Sequence, residues 1–153
     1  MLYEERGTVM KKLFKSIILS AALLTGAVAV APSASAAWSG WQNESGYSGR
    51  VFTDAATYTA GASTVDWKAE KKGSSTLYYT AGVYKKRSGG GLTDTNLVQR
   101  GSFKTATPLK SFNVKTIRNK TGKGTYVIQL DCYSDSGKRN YIGTFESAKF
   151  QIK

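Results

Sequence analysis

The sequence runs to 153 residues with 22 Lys and Arg, 10 Asp and Glu and no His, a formal charge of +12 at pH 7. Without His there is no Ser-His-Asp or Cys-His catalytic site, and with a single Cys, Cys132, there is neither an internal disulfide nor the ligand set of a zinc centre. So large a positive balance favours anionic partners through long-range attraction and says nothing about fold.

The first nine residues of the chain fit badly with the segment after them. Glu4 and Glu5 precede a basic stretch, and Glu4-Glu5-Arg6-Gly7 back-translates to a purine-rich run like a bacterial ribosome-binding site. We therefore expect Met10 to be the true start and the source to be bacterial. Residues 10–36 then have the order of parts of a secretory signal peptide. Lys11, Lys12 and Lys15 supply the charge, residues 17–30 are uncharged and apolar, and Ala34-Ser35-Ala36 is the small-x-small pattern of a cleavage site. The apolar run is shorter than the ~20 residues that span a bilayer, and Pro32 lies near its end. No Cys follows for lipid attachment, and no later apolar or sorting segment stands at the C-terminus, so the expected product is secreted with no transmembrane segment. It is residues 37–153, a single domain of 117 residues with 18 Lys and Arg against 8 Asp and Glu, or +10.

The remaining chain repeats with a period of two. Val65, Trp67 and Ala69 alternate with Asp66, Lys68 and Glu70, which predicts a half-buried strand. Leu77, Tyr79, Ala81 and Val83 form one face of the next, with Lys71-Lys72-Gly73-Ser74 read as a hairpin turn between them. Tyr126, Ile128, Leu130 and Cys132 line a third strand, and Asp135-Ser136-Gly137 turns it into a fourth through Tyr141, Gly143 and Phe145. Near Glu146-Ser147 the parity shifts to Phe150 and Ile152, as a β-bulge would shift it. Weaker strands are expected at 51–59, 96–104 and 109–117, turns at 45–49, 88–91, 105–108 and 121–124, and no helix. Seven or eight short strands in this arrangement predict an all-β protein, a small antiparallel β-sandwich or a small β-barrel.

Eight carboxylates remain in the domain, so a glycosidase built on a carboxylate pair is the one enzyme class left open. Asp66 with Glu70, and Asp131 with Asp135, are the nearest pairs in sequence, but strand faces and turns account for them equally well. Cys132 ends an apolar face and reads as a small buried hydrophobe. The expectation is a protein without catalysis, metal or cofactor.

The cations are unevenly spread. Residues 95–130 contain no Asp or Glu and hold Arg100, Lys104, Lys115, Arg118, Lys120 and Lys123, with Lys110 between. A second group, Lys85, Lys86 and Arg87, runs into the glycine-rich turn at 88–91. Tyr78 and Tyr84 lie opposite the apolar face of their strand, and Trp38 and Trp41 stand three apart at the start of the domain. Aromatic rings beside cations suit sugar rings, stacked bases or a membrane interface. Together these residues predict a monomeric binding protein that engages an anionic cell-wall polymer, a polysaccharide or lipid head groups through a basic surface, and nucleic acid only non-specifically. The competing expectations are a secreted antimicrobial protein or toxin, and a secreted inhibitor that presents the loop at 88–91.

Overall fold

In the computed structural model the described residues are 35–153, so the expected false start at 1–9 and all of the expected export signal except Ser35 and Ala36 lie outside them. In chain order the elements are β1 (Ala37–Trp38), β2 (Gln42–Glu44), β3 (Tyr47–Thr53), β4 (Thr57–Tyr58), β5 (Thr64–Lys71), β6 (Leu77–Lys86), β7 (Leu92–Phe103), β8 (Lys110–Asn113), α1 (Val114–Thr121), β9 (Gly124–Tyr133), β10 (Tyr141–Glu146) and β11 (Phe150–Ile152). Seven strands have four residues or more, and four shorter ones fill out the edges.

The strands form two sheets. The first has the order β1-β3-β5-β8, with β2 also paired to β3, and the second has the order β4-β11-β9-β6-β7, with β10 also paired to β9. No strand is shared between them, so the structure is a sandwich and not a barrel. Strand β9 has β6 along one side, while β10 and β11 lie end to end along the other. The break between β10 and β11 is the expected irregularity. Ser147 N–H donates to Ile128 O at 2.8 Å and Ser147 Oγ accepts from Ile128 N–H at 2.9 Å, while the buried positions pass from Phe145 to Phe150.

Three expectations are corrected. Residues 71–74 do not close a hairpin, because β5 pairs with β3 and β8 while β6 pairs with β7 and β9. The link carries the chain from one sheet to the other, so that the apolar faces of β5 and β6 both point into the sandwich. The sheets are not wholly antiparallel: β4 and β11 pair in parallel, Thr57 opposite Gln151 and Tyr58 opposite Ile152. The strand expected at 109–117 stops at Asn113, and α1 replaces the rest. Asn113 Oδ1 accepts from Thr116 N–H at 2.8 Å, which caps the helix, and Val114 and Ile117 at i and i+3 face the core.

The core takes the alternating residues of both sheets. Val51, Val65 and Trp67 from the first meet Leu77, Tyr79, Ile128, Leu130 and Phe145 from the second. Trp67 is completely buried, stacked on Phe112 with centroids 6.1 Å apart and edge-on to Tyr79 at 6.0 Å. Its indole N–H donates to Gln99 Oε1 at 3.2 Å, so the one polar atom of the ring has a partner. Trp67→Ala should cost ~3–5 kcal/mol in chemical denaturation, because strands on both sides prevent the site from collapsing. A loss below about 1 kcal/mol, the range of ordinary substitutions, would contradict this packing.

Cys132 is buried completely on β9. Burial first, and the neighbouring Asp131 second, push its thiol up to about 12. At neutral pH a thiol reagent should therefore label the protein only after denaturant is added. Rapid labelling of the native protein would show the strand to be open.

Candidate functional site

Helix α1 sets the geometry of the basic surface. Its inward residues, Val114 and Ile117, leave Lys115 and Lys120 exposed and Arg118 half-buried, and Gly122 and Lys123 follow in the link to β9. Lys115, Arg118 and Lys123 converge on a cleft of about 490 Å³, whose other walls include Ala60, Ala62 and Asn119. A second cleft, of about 420 Å³, is lined by Lys86, Arg87, Ser88, Gly124, Thr125 and Lys149. No acidic residue lines either one.

Lys85 occupies the ground between these clefts. It extends from β6 and donates from Nζ to Thr121 O at 2.6 Å, at the C-terminal end of α1. Gly124 makes room for it: a Cβ there would lie 2.7 Å from Lys85 Cε, and its φ of 148° is one that side-chain-bearing residues rarely adopt. A Cβ on Gly122 would lie 3.8 Å from Lys85 Nζ. Tyr126, completely buried, reaches the same helix end with its hydroxyl, which donates to Gly122 O and lies 2.8 Å from Thr121 Oγ1.

This contact has an electrostatic consequence. The C-terminus of a helix carries about half a negative charge, which would repel an anion in the adjoining cleft. Lys85 on Thr121 O opposes that charge, and Arg118 and Lys120 lie in the last turn. Lys115 and Lys123 are then left facing the cleft with no acid against them.

The other expected cations fall elsewhere. Arg100 is on the outer face of the second sheet, opposite Thr80 on β6. There it lies near Lys138, whose Nζ donates to Thr80 Oγ1 at 2.8 Å and to Tyr79 O at 3.2 Å, and whose pKa is lowered by burial and then by Arg100. Lys104 follows β7 at its far end. Neither Arg100, Lys104 nor Lys120 lines one of the two basic clefts. Lys86 is partly committed, to Glu146 Oε1 at 3.0 Å. Lys115, expected in a strand, is helical, as is Lys120, while Lys123 is in the link between α1 and β9, within the expected turn at 121–124. Lys149, far off in sequence and outside the expected set, joins Lys86 and Arg87.

Tyr78 and Tyr84 are half-buried on the outer face of the second sheet. Tyr84 lies over Gly82, where a Cβ would come within 2.8 Å of the ring, and its pKa is raised by burial first and then by Asp94 and Asp131. Tyr78 stands beside Tyr133, which meets Tyr141 at 5.7 Å. None of these rings lines the basic clefts.

Trp38 and Trp41 form a separate cluster on the outer face of the first sheet. The Arg50 guanidinium lies between them, 4.0 Å from the ring of Trp38 and 4.6 Å from that of Trp41. Arg50 also holds Glu70 at 2.8 Å, and this hydrogen bond is the chief reason the Glu70 carboxyl lies below its usual range. Lys68 and Lys72 close the stack, each 5.0 Å from one of the indoles. Cations and aromatics here are matched to each other.

The carboxylates named as possible hydrolytic pairs are bound into the structure. Asp66 accepts from Ser111 Oγ at 2.6 Å, Glu70 is held by Arg50 and Lys68, and Asp131 accepts from Thr144 Oγ1 at 2.5 Å. Asp135 accepts from the backbone N–H groups of Arg139 and Asn140, and the latter is the main cause that lowers its pKa. A glycosidic acid needs a carboxyl that retains its proton, and Glu70 and Asp135 are moved the other way.

Residues 34–153 match the model of the YqgA MG2 macroglobulin domain. The chain is also similar to the cell wall-binding protein YqgA of Bacillus subtilis (strain 168), at 35% identity over 130 residues, which cover 82% of this chain and 88% of that protein.

Lys85→Met tests the helix-end contact directly. It should lower stability by about 1–2 kcal/mol, as loss of a charged hydrogen bond does, and speed amide exchange in the last turn of α1. Unchanged stability and exchange would show that Lys85 does not hold the helix.

Proposed function

The chain belongs to the YqgA MG2 macroglobulin domain family, and on that footing we propose that it is an exported, non-catalytic protein that binds an anionic polymer of a bacterial cell wall. Export is by the signal at 10–36, and the domain starts at Ala37, where β1 also starts. The relative from Bacillus subtilis bears the name of a cell wall-binding protein, and the chain spans most of its length. The observation that carries the assignment to an anion is the convergence of Lys115, Arg118 and Lys123 on one cleft without an acid. Lys86, Arg87 and Lys149 extend the positive surface past Gly124.

Binding of this kind is mostly charge neutralisation. Affinity falls steeply with salt, because a polymer sheds its condensed counterions as it docks. The Trp38-Arg50-Trp41 stack has a structural role in this scheme, fastening β1 and the segment after it to the first sheet. Tyr78 and Tyr84 are not needed for contact.

A matched pair of charge reversals tests the assignment. K115E/K123E and R100E/K104E change net charge equally, but only the first alters the cleft. Pull-down on purified cell walls at two salt concentrations should show a loss of at least about tenfold for K115E/K123E at low salt and a small loss for R100E/K104E. Equal losses would mean that overall charge, not this cleft, drives binding. Wall binding that survives both changes and is indifferent to salt would remove the polyanion assignment.

A further inference from the structure

We propose that the two basic clefts form one continuous track, joined by Lys85, and that its ligand is a linear polymer several units long with phosphate groups in its backbone; this rests on the wall-polymer reading. The clefts are contiguous in the backbone. The first is lined as far as Gly122 and Lys123, and the second begins at Gly124 and Thr125. The ammonium of Lys85 stands at this junction, beside Gly122 and Gly124. Its one hydrogen bond within the described protein goes to Thr121 O, although an ammonium has three donors. Two N–H groups are left at the seam for a passing anion.

The walls select the shape of the chain. Ala60, Ala62 and Gly122 form part of the first cleft, and Ser88, Gly124 and Thr125 part of the second. These are small side chains, and no aromatic residue lines either cleft. The exposed rings of the described residues are on the outer faces of the sheets, where Trp41 and Tyr141 are among the most open large side chains. A polymer whose charges hang from sugar rings would use such rings for stacking. A slim chain with the charge in its backbone needs only width and cations. Lys and Arg both bind phosphate oxygens, Lys as a point charge and Arg through its planar fork.

A track makes the affinity depend on chain length. A ligand that fills one cleft gains one set of contacts. A chain that fills both gains the second set at high effective concentration, without another diffusional encounter. The seam matters because without Lys85 the negative helix end would divide the track.

Calorimetry on the purified protein tests this with tripolyphosphate, long-chain linear polyphosphate and polygalacturonate at one ionic strength. The long phosphate chain should bind roughly 100-fold or more tightly than tripolyphosphate, as linked sites do. K115E/K123E in the first cleft and R87E/K149E in the second should each abolish most of that advantage. Lys85→Met should reduce it as well, and denaturation curves would confirm that each variant is folded. A length advantage that survives either double variant would show two independent clefts and overturn the track. Polygalacturonate binding as tightly as long polyphosphate would overturn the assignment to a polymer with phosphate in its backbone. Failure of all three polyanions to bind at low salt would instead overturn the anion-binding function itself.

Discussion

The bond from Lys85 to Thr121 O, made possible by the missing side chain at Gly124, holds the basic surface at the end of α1 in place. Helix α1 has only eight residues, too few to be stable by itself. It persists because Asn113 caps its start, Val114 and Ile117 enter the core, and Lys85 with Tyr126 secures its end. Each anchor comes from a different part of the fold: the tip of β8, the interior of the sandwich, and the two neighbouring strands β6 and β9. The basic cleft is therefore a product of tertiary structure, although its three cations, Lys115, Arg118 and Lys123, lie close together in sequence.

Charge is used in two ways on the two sides of the molecule. On the outer face of the first sheet, Arg50, Lys68 and Lys72 lie against Trp38 and Trp41, and Arg50 and Lys68 share Glu70. There Glu70 offsets part of the charge of Arg50 and Lys68, the indole faces lie against all three cations, and these contacts fasten the N-terminal segment. Around the end of α1, Lys115, Lys123, Arg87 and Lys149 have no such partner among the described ion pairs. Unpaired cations in a concave site concentrate the field and raise the local concentration of an anionic polymer. Composition reports only the total. The contrast between paired and unpaired cations is the basis for proposing the α1 side as the binding surface.

Much of the sandwich was legible in the sequence because burial on one face of a strand enforces alternation. Val65-Trp67-Ala69, Leu77-Tyr79-Ala81-Val83 and Tyr126-Ile128-Leu130-Cys132 are all inward-facing, and the slip between Phe145 and Phe150 is real. Sheet membership was not legible. The turn at Lys71 to Ser74 has the right residues to reverse the chain, but the same chemistry serves a hairpin and a passage between sheets. The helix was hidden because Phe112, Val114 and Ile117 fit a strand and a helix about equally over so short a run. Asn113 before it, Gly122 after it and Arg118 with Lys120 in its last turn were the available signals. The basic site was half legible. An acid-free stretch picks out Lys115, Arg118 and Lys123, but it also picks out Arg100 and Lys104, which the strand direction carries to other surfaces. Lys149 could be found only by folding the chain, since β11 brings it beside the β6–β7 turn.

The most direct test of this account is a residue-resolved footprint: backbone amide NMR shifts of the purified protein titrated with anionic polymer extracted from bacterial cell walls. The largest changes should fall on residues 115–125, with a second set at 86–88 and 149, and they should vanish together as salt is raised. Trp38, Trp41 and Arg50 should be silent. Changes concentrated on the Trp38-Arg50-Trp41 face or on Tyr78 and Tyr84, with α1 and the Gly122–Gly124 link unmoved, would contradict it.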